Sequence, residues 1–193
     1  MESLSLKIKS QTKNNLELLL FQLPKVQLVS LEPIEFMSNE FRKPQKSLSK
    51  KFKSHIDTIK GHSGYHIYRY SLVNKKDEDA VHAAFVKFKK KHTKEKKNDP
   101  KPEYAVTKLN ETEKCEFLYV GCKIEDHHKR FKEHLGFTSK TTYSMHMRRW
   151  IPKNIMVKLE IFSVKADNYE MLEFIEQGLW AISKPMFGKK SGH

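Results

Sequence analysis

Apolar positions along this chain recur in two periods, and the changes from one to the other mark out the elements. A short helix is predicted over 14–22 and stopped at Pro24, after which "KVQLVSLEPIEF" alternates like a strand. In "KSLSKKFKSHIDTIK" (46–60), Leu48, Phe52, Ile56 and Ile59 fall at helical spacing. The aromatic and β-branched "YHIYRYSLV" then reads as a strand, and residues 77–92 as a helix with Val81, Ala84, Phe85 and Phe88 on one face. "EYAVTKL" and "EFLYVG", separated by the polar "NETEKC", predict an antiparallel hairpin. A helix over about 125–135, a polar segment "FTSKTTYSMHMRRW", a long strand "IMVKLEIFSV" and a last helix over about 168–182 complete the order. That order predicts an α+β domain with a small, mainly antiparallel sheet flanked by helices. Residues 1–45 read as an accessory N-terminal extension to a domain over 46–193.

Lys and Arg number 37 against 23 Asp and Glu, a formal charge of +14 in 193 residues. This balance points to a polyanionic partner, nucleic acid first, although solvated lysines alone give the same count. Cys115 and Cys122 flank a predicted strand without the repeated Cys/His spacing of a zinc module or disulfide framework. "LELLLFQL" is too short to span a bilayer, and the amino terminus lacks the features of a secretory signal. An intracellular, cytoplasmic protein without a membrane partner is expected.

On the helix over 125–135, Ile124, His128, Phe131 and Leu135 form one stripe, the expected core face. Lys123, His127, Arg130 and His134 form the next. Cationic or titratable tips at one-turn intervals suit a phosphate backbone, and they also describe an ordinary solvated basic face. On the last helix, Leu172, Ile175, Leu179 and Ile182 make the expected buried stripe, with Glu173, Glu176 and Trp180 beside it. One carboxylate at such a boundary can hold a hard divalent cation, because magnesium takes one or two carboxylates plus phosphate oxygens and water. An exposed helix glutamate is the plainer reading.

Tyr119-Val120-Gly121 at a strand end, Arg130 nine positions after the glycine, His134 four further on, and the distant Glu176 followed by Lys184-Pro185 together resemble the GIY-YIG nucleases. The resemblance covers residues 64–188 at most. The best match to the family's first motif is His66-Ile67-Tyr68, with histidine in place of glycine; Tyr104 in "EYAVTKL" is the competing tyrosine. With Tyr68, a helix and linker at about 75–102 become an insertion between paired strands. The family's asparagine after Lys-Pro is missing, and Gly188 stands in that region.

The resemblance implies a metal-dependent endonuclease acting on DNA phosphodiester bonds. Glu176 would hold Mg2+ or Mn2+, Tyr68 or Tyr119 would serve as base or its partner, Arg130 would clamp the phosphate, and His134 would contact phosphate or relay a proton. Lys123, His127, Lys140, Arg148 and Arg149 are candidate DNA contacts. A stand-alone chain of this size fits a restriction or phage-defence enzyme working as a homodimer. A non-catalytic nucleic-acid-binding module with the same fold is the alternative.

Overall fold

A computed structural model describes residues 4–42, 48–60, 64–98, 104–110, 114–138, 142–165 and 169–190. Five strands form one antiparallel sheet: β1 (Gln27–Ser30), β2 (Ile34–Met37), β3 (Tyr65–Leu72), β4 (Phe117–Lys123) and β5 (Met156–Lys165). β5 carries β1 and β2 end to end on one edge and β3 on the other, and β3 pairs in turn with β4. Six α-helices accompany the sheet among the described residues: α1 (Leu4–Gln22), α2 (Ser38–Phe41), α3 (Lys50–Lys60), α4 (Glu78–Asn98), α5 (His127–Leu135) and α6 (Tyr169–Ser183). None of them is long and apolar enough to cross a membrane.

The strand expected over 25–36 divides at Pro33, which has no N–H to give the ladder, into the short β1 and β2. Both belong to the main sheet, and Phe36 and Phe41 are fully buried, so the extension contributes directly to the core. The hairpin expected between "EYAVTKL" and "EFLYVG" does not form. Residues 104–109 make only isolated bridges, Val106 to Ser144 and Leu109 to Phe187. They are held against α4 instead, where Lys89 Nζ donates to the Thr107 carbonyl and His92 Nε2 meets the Tyr104 carbonyl at 2.8 Å. The place beside β4 belongs to β3, whose backbone is paired on both edges.

Two rings from the N-terminal half fix α5 over the sheet. Phe131 packs edge-to-face on Phe36 with centroids 5.7 Å apart and stacks on Phe52 at 6.1 Å, while Phe41 closes the cluster. Each such pair adds about 0.5–1.5 kcal/mol beyond the area it buries. The result is a helix whose inner face is set by Phe131 and Leu135, both almost fully buried.

That anchoring rotates α5 relative to the stripe expected from sequence. Ile124 lies before the helix and is exposed, whereas His127 and His134 are buried with Phe131 and Leu135, at spacings of four, seven and eight. The α6 stripe also differs: Met171, Leu172, Glu176 and Ser183 are buried, and Ile182 is 80% exposed.

Candidate active site

In β3, Tyr68 and Tyr70 point to one face of the sheet, and Tyr68 lies opposite Gly121 while Tyr70 lies opposite Tyr119. α5 covers this face. Arg130 Nε donates to the Tyr68 hydroxyl at 3.1 Å, and its Nη2 donates to the Tyr119 hydroxyl at 3.1 Å and to the Tyr143 carbonyl at 3.0 Å. Nη1 pairs with the Glu133 carboxylate at 2.9 Å, one turn further along the helix. His134 Nε2 lies 3.2 Å from the Tyr68 hydroxyl, with its ring centroid 4.4 Å from that of Tyr119. Three separate elements thus bring Tyr68, Tyr119, Arg130 and His134 into one hydrogen-bonded cluster.

The His134 ring reveals where protons sit. Its Nδ1 receives the Met145 backbone N–H at 3.5 Å, so the proton of the neutral ring belongs on Nε2, directed at Tyr68. Burial, with Arg130 and His146 adding to it, keeps this imidazole neutral by holding its pKa well below the usual histidine range. The Tyr68 oxygen therefore receives two donors, Arg130 Nε–H and His134 Nε2–H, which is the environment a phenolate needs. Burial nevertheless pushes the Tyr68 and Tyr119 hydroxyls up against the opposing pull of Arg130, and both phenols stay protonated near neutral pH. Burial opposes the Arg130 charge, but its hydrogen bonds to Glu133 and to the Tyr68 hydroxyl outweigh it and keep the guanidinium cationic.

Glu176 arrives from the other side of the sheet. Ile67, Val164 and Leu172 form a second small core under α6, with Cys122 packed against it. Glu176 is buried there, and the Cys122 thiol is hydrogen-bonded to its carboxylate; burial first and Glu176 next push that thiol up. The Glu176 charge also raises both Tyr68 and Tyr119, so it lies within electrostatic reach of the cluster across the edge strand β4. No described group of three or more His, Cys, Asp or Glu side chains could hold a metal ion. A single buried carboxylate fits a hard cation that arrives with phosphate oxygens and water, rather than one caged by protein alone.

No family model, curated protein or solved structure matches the chain. The candidate site rests on its own geometry.

The candidate nucleic-acid contacts separate into distinct environments. Lys123 is exposed and lines a cleft of about 410 Å3 together with Cys122, Lys129 and Arg130. His127, expected on the outer stripe, is instead buried against His66, ring centroids 4.0 Å apart, with Nε2 at 3.2 Å from the Gly64 carbonyl, and offers no surface to a nucleic acid. Arg148 lies over the Phe137 ring at 5.0 Å and Arg149 over Tyr104 at 4.0 Å. Lys140 lies outside the described residues. Tyr104, the competing first-motif tyrosine, belongs to that second region and takes no part in the Arg130 cluster.

Two glycines already met in the sequence patterns, Gly121 and Gly188, shape the site by what they leave out. A Cβ on Gly121 would stand 2.6 Å from the Tyr68 hydroxyl oxygen and 2.8 Å from the Tyr119 ring, and one on Gly188, at φ +104°, would stand 2.8 Å from the opposite edge of that ring. Tyr119 is thus seated between two backbones that can approach only because they lack side chains. The available clue is the glycine of "YVG", together with Gly188 where the resemblance wants asparagine. Replacing Gly121 with alanine is expected to cost about 1–3 kcal/mol through overpacking and to displace both phenols. Gly178→Ala, at an open position in α6 with nothing within 4 Å, is expected to stabilise by about 0.5–1 kcal/mol. Urea unfolding of the two variants checks the contrast, and equal stabilities would reject the crowding argument.

Proposed function

We propose that the chain is an intracellular, divalent-metal-dependent endonuclease of the GIY-YIG type that hydrolyses DNA phosphodiester bonds. The observation that carries this reading is the convergence of Tyr68, Tyr119, Arg130 and His134 on one polar cluster, with a buried carboxylate in electrostatic reach. Buried polar groups are costly unless they are paired, and a core built for stability alone has no need of two phenols, a guanidinium and an imidazole around one point.

In this reading Tyr68 first gives up its own proton to solvent, its phenolate oxygen steadied by Arg130 Nε–H and His134 Nε2–H, and the phenolate then takes the proton of the attacking water. Tyr119, half-buried, is held by the same guanidinium. Arg130 differs from a simple phosphate clamp because four of its bonds go to Tyr68, Tyr119, Tyr143 and Glu133; its first task is to order the phenols. A cation held by Glu176 would neutralise charge on the phosphate and leaving oxygen.

A restriction or phage-defence role and a homodimer complete the reading, since one such site cuts one strand at a time. The C-terminal half of α1 suits self-association: Leu16, Leu18, Leu20 and Phe21 are each more than half exposed. Residues 14–24 carry Glu17 and no cation, a stretch of formal charge −1 on a chain of charge +14.

The test is incubation of plasmid and phage DNA with the purified protein and Mg2+ or Mn2+, with EDTA as control and light scattering on the same sample. Metal-dependent strand breaks and a mass of two chains are expected. Binding without cleavage across several DNA sources would replace the nuclease reading with that of a non-catalytic binding module, and a single-chain mass would reject the dimer.

A further inference from the structure

A second concavity lies away from the phenol cluster, between α4 and the turn at Met147–Trp150. Its volume is about 520 Å3, within the range of roughly 300–1,000 Å3 that encloses small ligands. The wall is aromatic, with Phe88 half-buried in front of Tyr104 and Trp150, which are buried. Phe88 lies parallel to Tyr104, centroids 6.1 Å apart at 5°, and also faces Trp150 at 6.5 Å. The rim is cationic: Lys87 and Lys91, both exposed, come from α4, and the Arg149 guanidinium lies over the Tyr104 ring.

The charge around it is one-sided. From residue 80 to residue 94 the sequence has five lysines and no Asp or Glu. A neighbouring depression along α4 shares Lys87 and Lys91 and adds Lys90 and Lys94, so the basic surface continues past the concavity. Cations alone would suit any polyanion. Rings and cations in one hollow suit a chain that alternates a flat base with a phosphate, because stacking is worth about 1–3 kcal/mol per base and is indifferent to which base stacks.

One stretch of backbone borders both places. The Tyr143 carbonyl accepts from Arg130, the Met145 N–H meets His134, and Arg149 and Trp150 line the hollow. Arg149 stands six positions after Tyr143, a span of at most about 20 Å, or about six steps of a DNA strand at 3.4 Å each. A strand seated at Arg130 can therefore reach the hollow.

We infer that the hollow between α4 and the Met147–Trp150 turn takes an unpaired nucleotide of a bound DNA strand, its base against the Phe88 ring and its phosphates on Lys87, Lys91 and Arg149. An acidic peptide would satisfy the same cations but gives the rings no role. The assignment rests on the nucleic-acid reading above, and it adds an interaction that a fully paired duplex cannot make. A gap or bulge in the duplex, or a nucleotide turned out at a cost of a few kcal/mol, supplies the unpaired base.

The experiment uses the full chain in EDTA with a fluorescein-labelled oligothymidylate substituted with 5-iododeoxyuridine. After irradiation, adducts are expected on peptides containing Lys87–His92 or Arg149–Trp150. In anisotropy titrations the triple variant Lys87→Ala, Lys91→Ala, Arg149→Ala is expected to bind the strand about tenfold more weakly and to lower the salt slope by about 2, near 0.7 for each phosphate that is no longer neutralised. The double variant Lys87→Ala, Lys91→Ala, at exposed positions where alanine favours the helix, is expected to lose part of the affinity with its melting unchanged. Adducts confined to other peptides, or variants that bind with the wild-type slope, would overturn the assignment. Cleavage assays on the same preparations keep the two readings apart. Cleavage with adducts elsewhere removes the hollow and leaves the nuclease, whereas adducts in the hollow without cleavage keep the hollow and remove the nuclease.

Discussion

Glu176→Gln is expected to lose metal-dependent cleavage by about 1,000-fold or more, a loss of roughly 4 kcal/mol of transition-state stabilisation, while its thermal stability holds or rises. The two effects separate because the carboxylate is buried at the α6 face, where the Cys122 thiol is bonded to it. A buried charge is costly to take out of water, and the isosteric amide removes that charge while it can still bond to Cys122. A catalytic cation, in contrast, needs the charge itself. A second readout does not depend on cleavage. Glu176 raises the Tyr68 and Tyr119 hydroxyls, so the amide variant should ionise its buried tyrosines at lower pH than the wild type, visible in the phenolate absorbance during an alkaline titration. Cleavage at the wild-type rate by Glu176→Gln would end the role assigned to this residue. A tyrosine titration that does not move would place it outside the cluster's field.

Much of this arrangement is legible in the sequence, and the limits have physical causes. The strands β3, β4 and β5 and the helices α3 and α5 carry strong period-2 or period-3.6 patterns, and they stand close to where those patterns place them. The α5 core face differs from its expected stripe because that stripe counts Ile124 as helical. The helix begins only after Asp126, a left-handed residue whose carbonyl accepts the N–H groups of Lys129 and Arg130, and Ile124 lies outside its period. The period then selects His128 over His127 and His134, although the rings of Phe36 and Phe52, far away in sequence, fix which side turns inward. The absent hairpin has a similar cause. "EYAVTKL" has strand propensity, but Lys89 and His92 on α4 capture its carbonyls, and β3, from an earlier part of the chain, occupies the edge of β4. The four residues of the polar cluster can each be named from sequence. What sequence does not reveal is that Glu176 comes from the opposite face of the sheet, and that Gly121 and Gly188 hold Tyr119 between them. Both are facts of close approach in space and leave no periodic trace.

Arg130→Lys separates charge from geometry. Lysine keeps the cation but gathers its donors on one nitrogen, whereas Arg130 spreads bonds from Nε, Nη1 and Nη2 to Tyr68, Glu133, Tyr119 and Tyr143. One ammonium cannot span those acceptors. Glu133 is almost completely buried, and its remaining partner would be a weaker, mobile one. The expected outcome is cleavage lowered by about 100- to 1,000-fold, the range seen when one preorganised donor at a developing anion is removed, with a stability loss of about 1–3 kcal/mol. Glu133→Gln locates the origin of each effect. If the ion pair is mainly structural, that variant takes up most of the stability loss, and the double variant is no less stable than Arg130→Lys alone. The loss in cleavage stays with Arg130, because only its Nε and Nη2 reach the phenols. A charge-only role for Arg130 would instead leave Arg130→Lys within a few-fold of the wild-type rate. In that case the two phenols would have to be ordered by His134 and by the glycine seats alone.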